Sequence, residues 1–180
     1  INSRANNSSV LRASVLNKVE SNNVYSLTTT VNATTSSSLG TITAPASGSL
    51  VGGAFNILDQ LLSANIYLRS KITGFTSAPK VTAYWEPGFN PNSYFGSSSG
   101  ISFYLPGYSR LFILGGINGD VNSSDTDHFD NSVIVHEYGH FLEDLFWVTD
   151  SPGGAHSGNK IIDPRLAWSE GWGNFFQAAV

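Results

Sequence analysis

The sequence predicts an α+β fold, and three observations carry that prediction. Strand-length runs with alternating or β-branched residues occupy the first part of the chain and recur between residues 80 and 114. A helical period runs from about Gly53 to Ser70. Two further helical stretches follow, one opening at Asn131 and one near Pro164. The expected arrangement is a mixed β-sheet followed by two helices. Residues 1–50 are expected to form a β-rich N-terminal arm or the end of a preceding module, and residues 51–180 the core.

The elements follow in order. Val24–Val31 and Leu39–Thr43 are expected strands because of their β-branched content. A turn is expected at Thr34–Ser38, and Pro45 and Gly48 mark a break. In the next stretch Ala54, Ile57, Leu58, Leu61, Leu62, Asn65 and Leu68 recur at helical spacing. Lys80–Trp85 reads as a strand stopped by Pro87 and Gly88, and Phe89–Gly100 as a loop. Ile101–Leu105 and Arg110–Leu114 read as strands joined by a turn at Pro106 and Gly107. Gly115–Asp130 is a long acidic loop. Asp130 then stands where a helix N-cap is wanted, ahead of an apolar surface formed by Val133, Ile134, Tyr138, Phe141, Leu142, Leu145 and Phe146. Pro152, Gly153 and Gly154 break that helix, and a last one runs through Trp168, Trp172, Phe175 and Phe176.

Composition bounds the function. A chain of 180 residues with 41% hydrophobic side chains suggests one domain, with at most a small appendage. A net charge of -4 with scattered Lys and Arg gives no electrostatic footprint for nucleic acid. No apolar run approaches the roughly 20 residues that span a bilayer. Cysteine is absent, which excludes disulfides and thiolate ligands. The low charged fraction of 12% and the abundance of Ser, Thr, Asn and Gly lead us to expect a secreted or cell-surface protein. The chain starts at Ile1 and has no Met, as expected of a processed or excised product. Asn7, Asn32 and Asn122 each open a glycosylation sequon of the kind that arises by chance in such a composition.

The chemistry concentrates in His136-Glu137-Tyr138-Gly139-His140. On a helix, residues four apart share one face with a rise of about 6 Å, so both imidazoles can reach a single cation. Zinc takes imidazole nitrogen in tetrahedral geometry, and catalytic sites use three protein ligands. Glu137 lies about 100° round the helix from His136. That is suitable for a general base that takes a proton from the attacking water and passes it to the leaving amine. For a third ligand no His follows at short spacing and no cysteine is available; the carboxylates downstream are Glu143, Asp144, Asp150, Asp163 and Glu170. Glu143 and Asp144 lie on the motif helix itself and are expected to point round its side. Asp150 and Asp163 fall in or beside loops. Glu170, in Ser169-Glu170-Gly171-Trp172, lies on the last helix and can approach from the opposite side.

The two motifs together resemble the gluzincin metallopeptidases, which include thermolysin-like proteases and zinc aminopeptidases. The resemblance covers about 45 residues, from Asp130 to Phe176. It implies a zincin-like core, Zn2+ held by His136, His140 and Glu170, Glu137 as base, and a peptide or protein substrate. It also implies Asn174, in place of an Asp, as a support for the first His. An edge strand to which an extended peptide adds is implied as well, and Arg110–Gly116 fits it by composition, an ordinary core strand being the equal alternative. Such enzymes carry a Tyr or His after the third ligand to stabilise the oxyanion, and a C-terminal helical subdomain. Within this chain His156 is the first candidate for that role and Tyr108 a weaker one, with an ordinary loop histidine as the alternative. Asp120–Asp127 could hold Ca2+ or be a solvated acidic loop. Tyr138, His128, Trp147, Trp168 and Trp172 are expected to pack. Two other outcomes stand beside the peptidase: a binding or adhesion module with a structural zinc, and a fragment inactive without its C-terminal part.

Overall fold

Leu11–Leu16 sets Leu11, Ala13 and Val15 on one face and Arg12, Ser14 and Leu16 on the other, so one face of the strand is wholly apolar. It forms β2, and a computed structural model describing residues 1–19, 22–30, 40–154, 156–157 and 160–180 places it inside a five-stranded sheet. The other strands are β1 (Arg4–Asn7), β3 (Val81–Tyr84), β4 (Phe103–Leu105) and β5 (Arg110–Phe112). The order is β1-β2-β3-β5-β4. The inner three strands are parallel, and β1 and β4 are antiparallel edges. The helices are α1 (Gly52–Lys71), the short α2 (Pro91–Tyr94), α3 (Asn131–Phe146) and α4 (Pro164–Ala179). The fold is therefore α+β with a mixed sheet. No described helix is long and apolar enough to cross a membrane.

The pleat sorts the strand residues. Ala13, Val15, Val81, Ala83 and Leu111 join Ile57 and Leu61 of α1 and Ile134, Tyr138 and Phe141 of α3 in the main core. The alternate residues Leu16, Tyr84 and Phe112 form a second cluster, with Phe103 and Val24 packed against it. Phe112 stacks on Phe103 at 4.9 Å and on Tyr84 at 5.4 Å. Asn65 of α1 is fully buried and fully satisfied. It donates to Leu61 O and Tyr138 Oη, both at 2.8 Å, and accepts from Ala78 N at 3.0 Å.

The N-terminal region departs from expectation. Residues 4–16 are members of the sheet rather than an arm beside it. Between Val24 and Thr30 the chain makes only isolated bridges, Val24 with Leu16 and Ser26 with Asn2. Thr28, Thr29 and Thr30 are exposed, and residues 40–43 form no strand. The cause is competition for a buried slot. β-Propensity reports fit to a half-buried pleated surface, and the place beside β3 goes to Leu11–Leu16, whose residues 13–16 are all buried. Thr34–Ser38, Asn32 and the ends Val31 and Leu39 of the expected strands lie outside the described residues.

Of the two readings of Arg110–Gly116, the core strand holds for Arg110–Phe112. β5 is an interior strand, because the turn at Pro106–Ser109 folds β4 back onto it. The free edge on that side is β4, which packs against α3.

Candidate metal centre

Asp130 caps α3 by accepting from Val133 N at 3.2 Å. The helix it starts sets His136 and His140 one turn apart, with ring centroids 4.7 Å from each other. Helix α4 starts at Asp163, whose side chain accepts from Arg165 N, with Pro164 at its first position. The two helices meet through glycines. A Cβ on Gly139 would lie 3.4 Å from the Gly173 Cα, and a Cβ on Gly173 would lie 2.7–2.9 Å from the His136 ring. The imidazole thus fills the space a side chain on residue 173 would need. Trp172 Nε1 donates to Gly139 O at 2.8 Å and ties the crossing.

This contact brings Glu170 between the two histidines. His136 Nε2 and His140 Nε2 are 3.0 Å apart. Glu170 Oε2 is 3.3 Å from His136 Nε2, and Oε1 is 3.7 Å from His140 Nε2. Two ligands about 2.1 Å from a tetrahedral zinc are about 3.4 Å from each other, and the observed spacings of 3.0, 3.3 and 3.7 Å bracket that separation. Among the described residues His136, His140 and Glu170 form the one group of three or more ligand side chains that converges on a point. The donor set, two imidazoles and one carboxylate, suits zinc. A cleft of about 640 Å³, lined by residues that include Trp147, Arg165, Trp168 and Trp172, lies alongside and does not contain these three. The convergence of ligands rather than the size of a cavity identifies the site.

Glu137 stays off the ligand set. It is buried, and one oxygen accepts from Tyr104 N on the β4 edge at 2.8 Å. Burial pushes its carboxyl up to about 7, against the pull of the His136 charge and the Tyr104 hydrogen bond. Burial holds His140 below the ordinary imidazole value, as does the neighbouring His136 charge. His136 is buried too, but hydrogen bonding to Glu170, the charges of Glu137 and Glu170, and a hydrogen bond with Asn174 lift it above that value. Burial also raises Glu170, but the His136 hydrogen bond and the facing histidine charges outweigh it and hold its carboxyl low. Asn174 thus lies within reach of the His136 ring.

The outer contacts sharpen several expectations. His156 Nε2 lies 3.2 Å from Glu170 Oε2, and its Nδ1 lies 3.1 Å from Gly154 O. The structure places it at the rim against the third carboxylate, with its side chain 39% exposed. Tyr108 is exposed on the β4–β5 turn and packs under Arg110. Tyr138 is buried on Asn65, and His128 is buried against Trp85 at 4.9 Å. In the acidic loop Asp120 accepts from Asn122 N and Ser123 N, and Asp127 accepts from Ser102 Oγ. These carboxylates serve turns and a buried hydroxyl, and they do not gather into a ligand group. Trp172 packs, whereas Trp147 and Trp168 are 55% and 75% exposed, contrary to the expectation of core.

Sequence reasoning missed four residues. Glu143, expected to point round the helix, turns inward and accepts from Ser169 Oγ at 2.6 Å. Its spacing of three from His140 was the available signal, since such pairs share a helix face. Ser169 itself lies 3.2 Å from His140 Nδ1. Asp144 accepts from Tyr104 Oη at 2.6 Å and Gly107 N at 3.0 Å, which pins the β4 hairpin to α3. Gly173 is required by the His136 ring, and nothing local announces it.

Comparison with known proteins returns no matching family model, no matching curated protein and no matching solved structure.

Proposed function

We propose that this chain is a gluzincin-type zinc peptidase with a zincin-like core, hydrolysing a peptide or protein substrate. The observation that carries the reading is the convergence of His136, His140 and Glu170 at zinc-ligand spacing beside a buried carboxylate that is not part of the set. Zinc supplies a Lewis acid that polarises the scissile carbonyl and makes water nucleophilic at neutral pH. His136, His140 and Glu170 would hold it. Glu137 takes the proton from the attacking water and returns it to the leaving amine. A carboxyl lifted to about 7 is suited to both halves of that exchange near neutrality. The Tyr104 N–H fixes one Glu137 oxygen and leaves the other for the proton.

Edge strand β4, and not β5, is the strand on which an extended peptide would lie in this reading. Its outward N–H at Tyr104 already addresses Glu137, so edge and base are in register. His156 at the rim is the candidate for facing the developing oxyanion. The low charged fraction and the abundance of Ser, Thr, Asn and Gly favour a secreted or cell-surface setting.

The test is direct. Protein prepared without chelator is expected to carry close to one zinc per chain and to cleave quenched peptides in a chelator-sensitive way. Glu137→Gln is expected to keep the zinc and lose about 10²–10⁴-fold in turnover. Zinc without cleavage in the wild type would point to a structural staple of a binding module or to a fragment inactive without its C-terminal part. Absence of zinc would end the metal reading.

A further inference from the structure

We propose that Ser169 and Glu143 are positioning residues that set the tautomer of His140, and with it the affinity of the metal site. This inference rests on the metal reading above and goes beyond it by assigning residues that touch neither metal nor substrate.

A serine hydroxyl has one proton to give and lone pairs to accept with. Ser169 Oγ lies 2.6 Å from Glu143 Oε2, and a carboxylate can only accept, so the hydroxyl proton goes there. Ser169 Oγ also lies 3.2 Å from His140 Nδ1. With its proton committed to Glu143, Ser169 can meet that nitrogen only as an acceptor. His140 Nδ1 must therefore carry the hydrogen. In a neutral imidazole the other nitrogen is then a bare lone pair, and that nitrogen, Nε2, is the one facing His136 and Glu170. The relay Glu143–Ser169–His140 thus holds the ring in the tautomer that a cation needs.

Burial gives the relay its stiffness. Ser169 is 6% exposed and Glu143 5% exposed, so little water competes for their hydrogen bonds. The Glu143 carboxylate is itself 3.7 Å from His140 Nδ1, close enough to favour the N–H on that side as well. The three groups come from two helices, with Ser169 next to Glu170 on α4. One helix contact therefore delivers both the third ligand and the group that orients the second. Outer partners of metal-bound histidines act in this way in general.

Glu143→Ala makes the sharpest prediction. It frees the Ser169 hydroxyl to rotate and donate to Nδ1, which moves the His140 proton to Nε2 and opposes metal binding. A group that merely packed would not move that proton. The experiment is two measurements on the whole chain. Zinc chloride affinity is read by competition with a chromophoric chelator, and the tautomer of His140 by ¹⁵N NMR of the metal-free protein. Ser169→Ala and Glu143→Ala are expected to weaken zinc about 10–100-fold, while Ser169→Thr, which keeps the hydroxyl, stays within about threefold of wild type. The wild type is expected to show a protonated Nδ1 on His140, and Glu143→Ala a protonated Nε2. A protonated Nε2 in the wild type, or wild-type zinc affinity in both alanine variants, would overturn the proposal. If Ser169→Ala does not fold, Glu143→Ala and Ser169→Thr carry the test. If the wild type takes up no zinc, the metal reading fails, and the NMR measurement still decides the relay.

Discussion

Two polar clusters share helix α3 and are built on opposite principles. Around Asn65 both amide hydrogens and the amide oxygen are paired: the amide gives to Leu61 O and Tyr138 Oη and receives from Ala78 N. Around His136 and His140 the groups that face each other are two Nε2 atoms and a carboxylate, an arrangement richer in lone pairs than in protons. The Asn65 amide is fully paired by the protein. In the proposed reading a cation would complete the second cluster. Counting donors against acceptors, more than counting buried polar residues, separates a structural network from a binding site.

Four measurements break or sharpen this contrast. The largest effect is expected from Asn65→Ala, which leaves the Tyr138 hydroxyl and the Ala78 N–H without partners. Two buried groups so orphaned cost about 3 kcal/mol of unfolding free energy in a urea titration. Zinc affinity should stay at the wild-type value; a parallel loss would mean the two clusters are one.

Next comes zinc itself. A ligand at a hundred times its Kd stabilises the folded state by about 2.7 kcal/mol. Wild type and Asn65→Ala should both gain that amount, while Glu170→Ala should gain nothing. A full gain in Glu170→Ala would remove it from the ligand set.

Gly173→Ala tests the packing that carries the site. Its Cβ would press on the His136 ring at 2.7–2.9 Å, and zinc affinity should fall about tenfold. Gly171→Ala is the control, since a Cβ there meets nothing within 4 Å. It should leave affinity unchanged and raise thermal stability slightly through helix propensity.

The smallest effect belongs to the start of α4. The Arg165 side chain and backbone N–H hold the Asp163 carboxyl down at about 2. A carboxyl lowered on folding stabilises the fold above its unfolded value near 4 and loses that contribution as pH falls through about 2. Asp163→Ala should therefore melt slightly below wild type at neutral pH, and the gap should close in acid. A gap that persists at pH 2 would assign the effect to packing.

Much of this was legible in the chain. Helices α1, α3 and α4 were readable because a period sustained over sixteen or more residues is a strong signal. β1 was not, because Arg4–Asn7 is polar and three of its four residues are exposed, and such an edge leaves no apolar pattern. Val24–Thr30 misled for the converse reason, having strand composition but no buried slot to occupy. In the site, His136, Glu137 and His140 were readable from local spacing alone. Glu143 was passed over because its helix position gave a direction but not a partner. Ser169, Tyr104 and Gly173 matter only through residues far away in sequence.

The sequence by itself determined the helices and the placing of His136 and His140 on one helix face, because both depend on the fixed rise and turn of one α-helix. Only the tertiary structure decided that Glu170 approaches both histidines at once, that Ser169 and Glu143 address His140, and that β4 is the free edge beside Glu137. Each of these depends on how two separately folded segments pack, through the approach of Gly139 to Gly173 or the turn at Pro106–Ser109. Close packing selects such contacts over the whole chain, so no stretch of sequence states them alone.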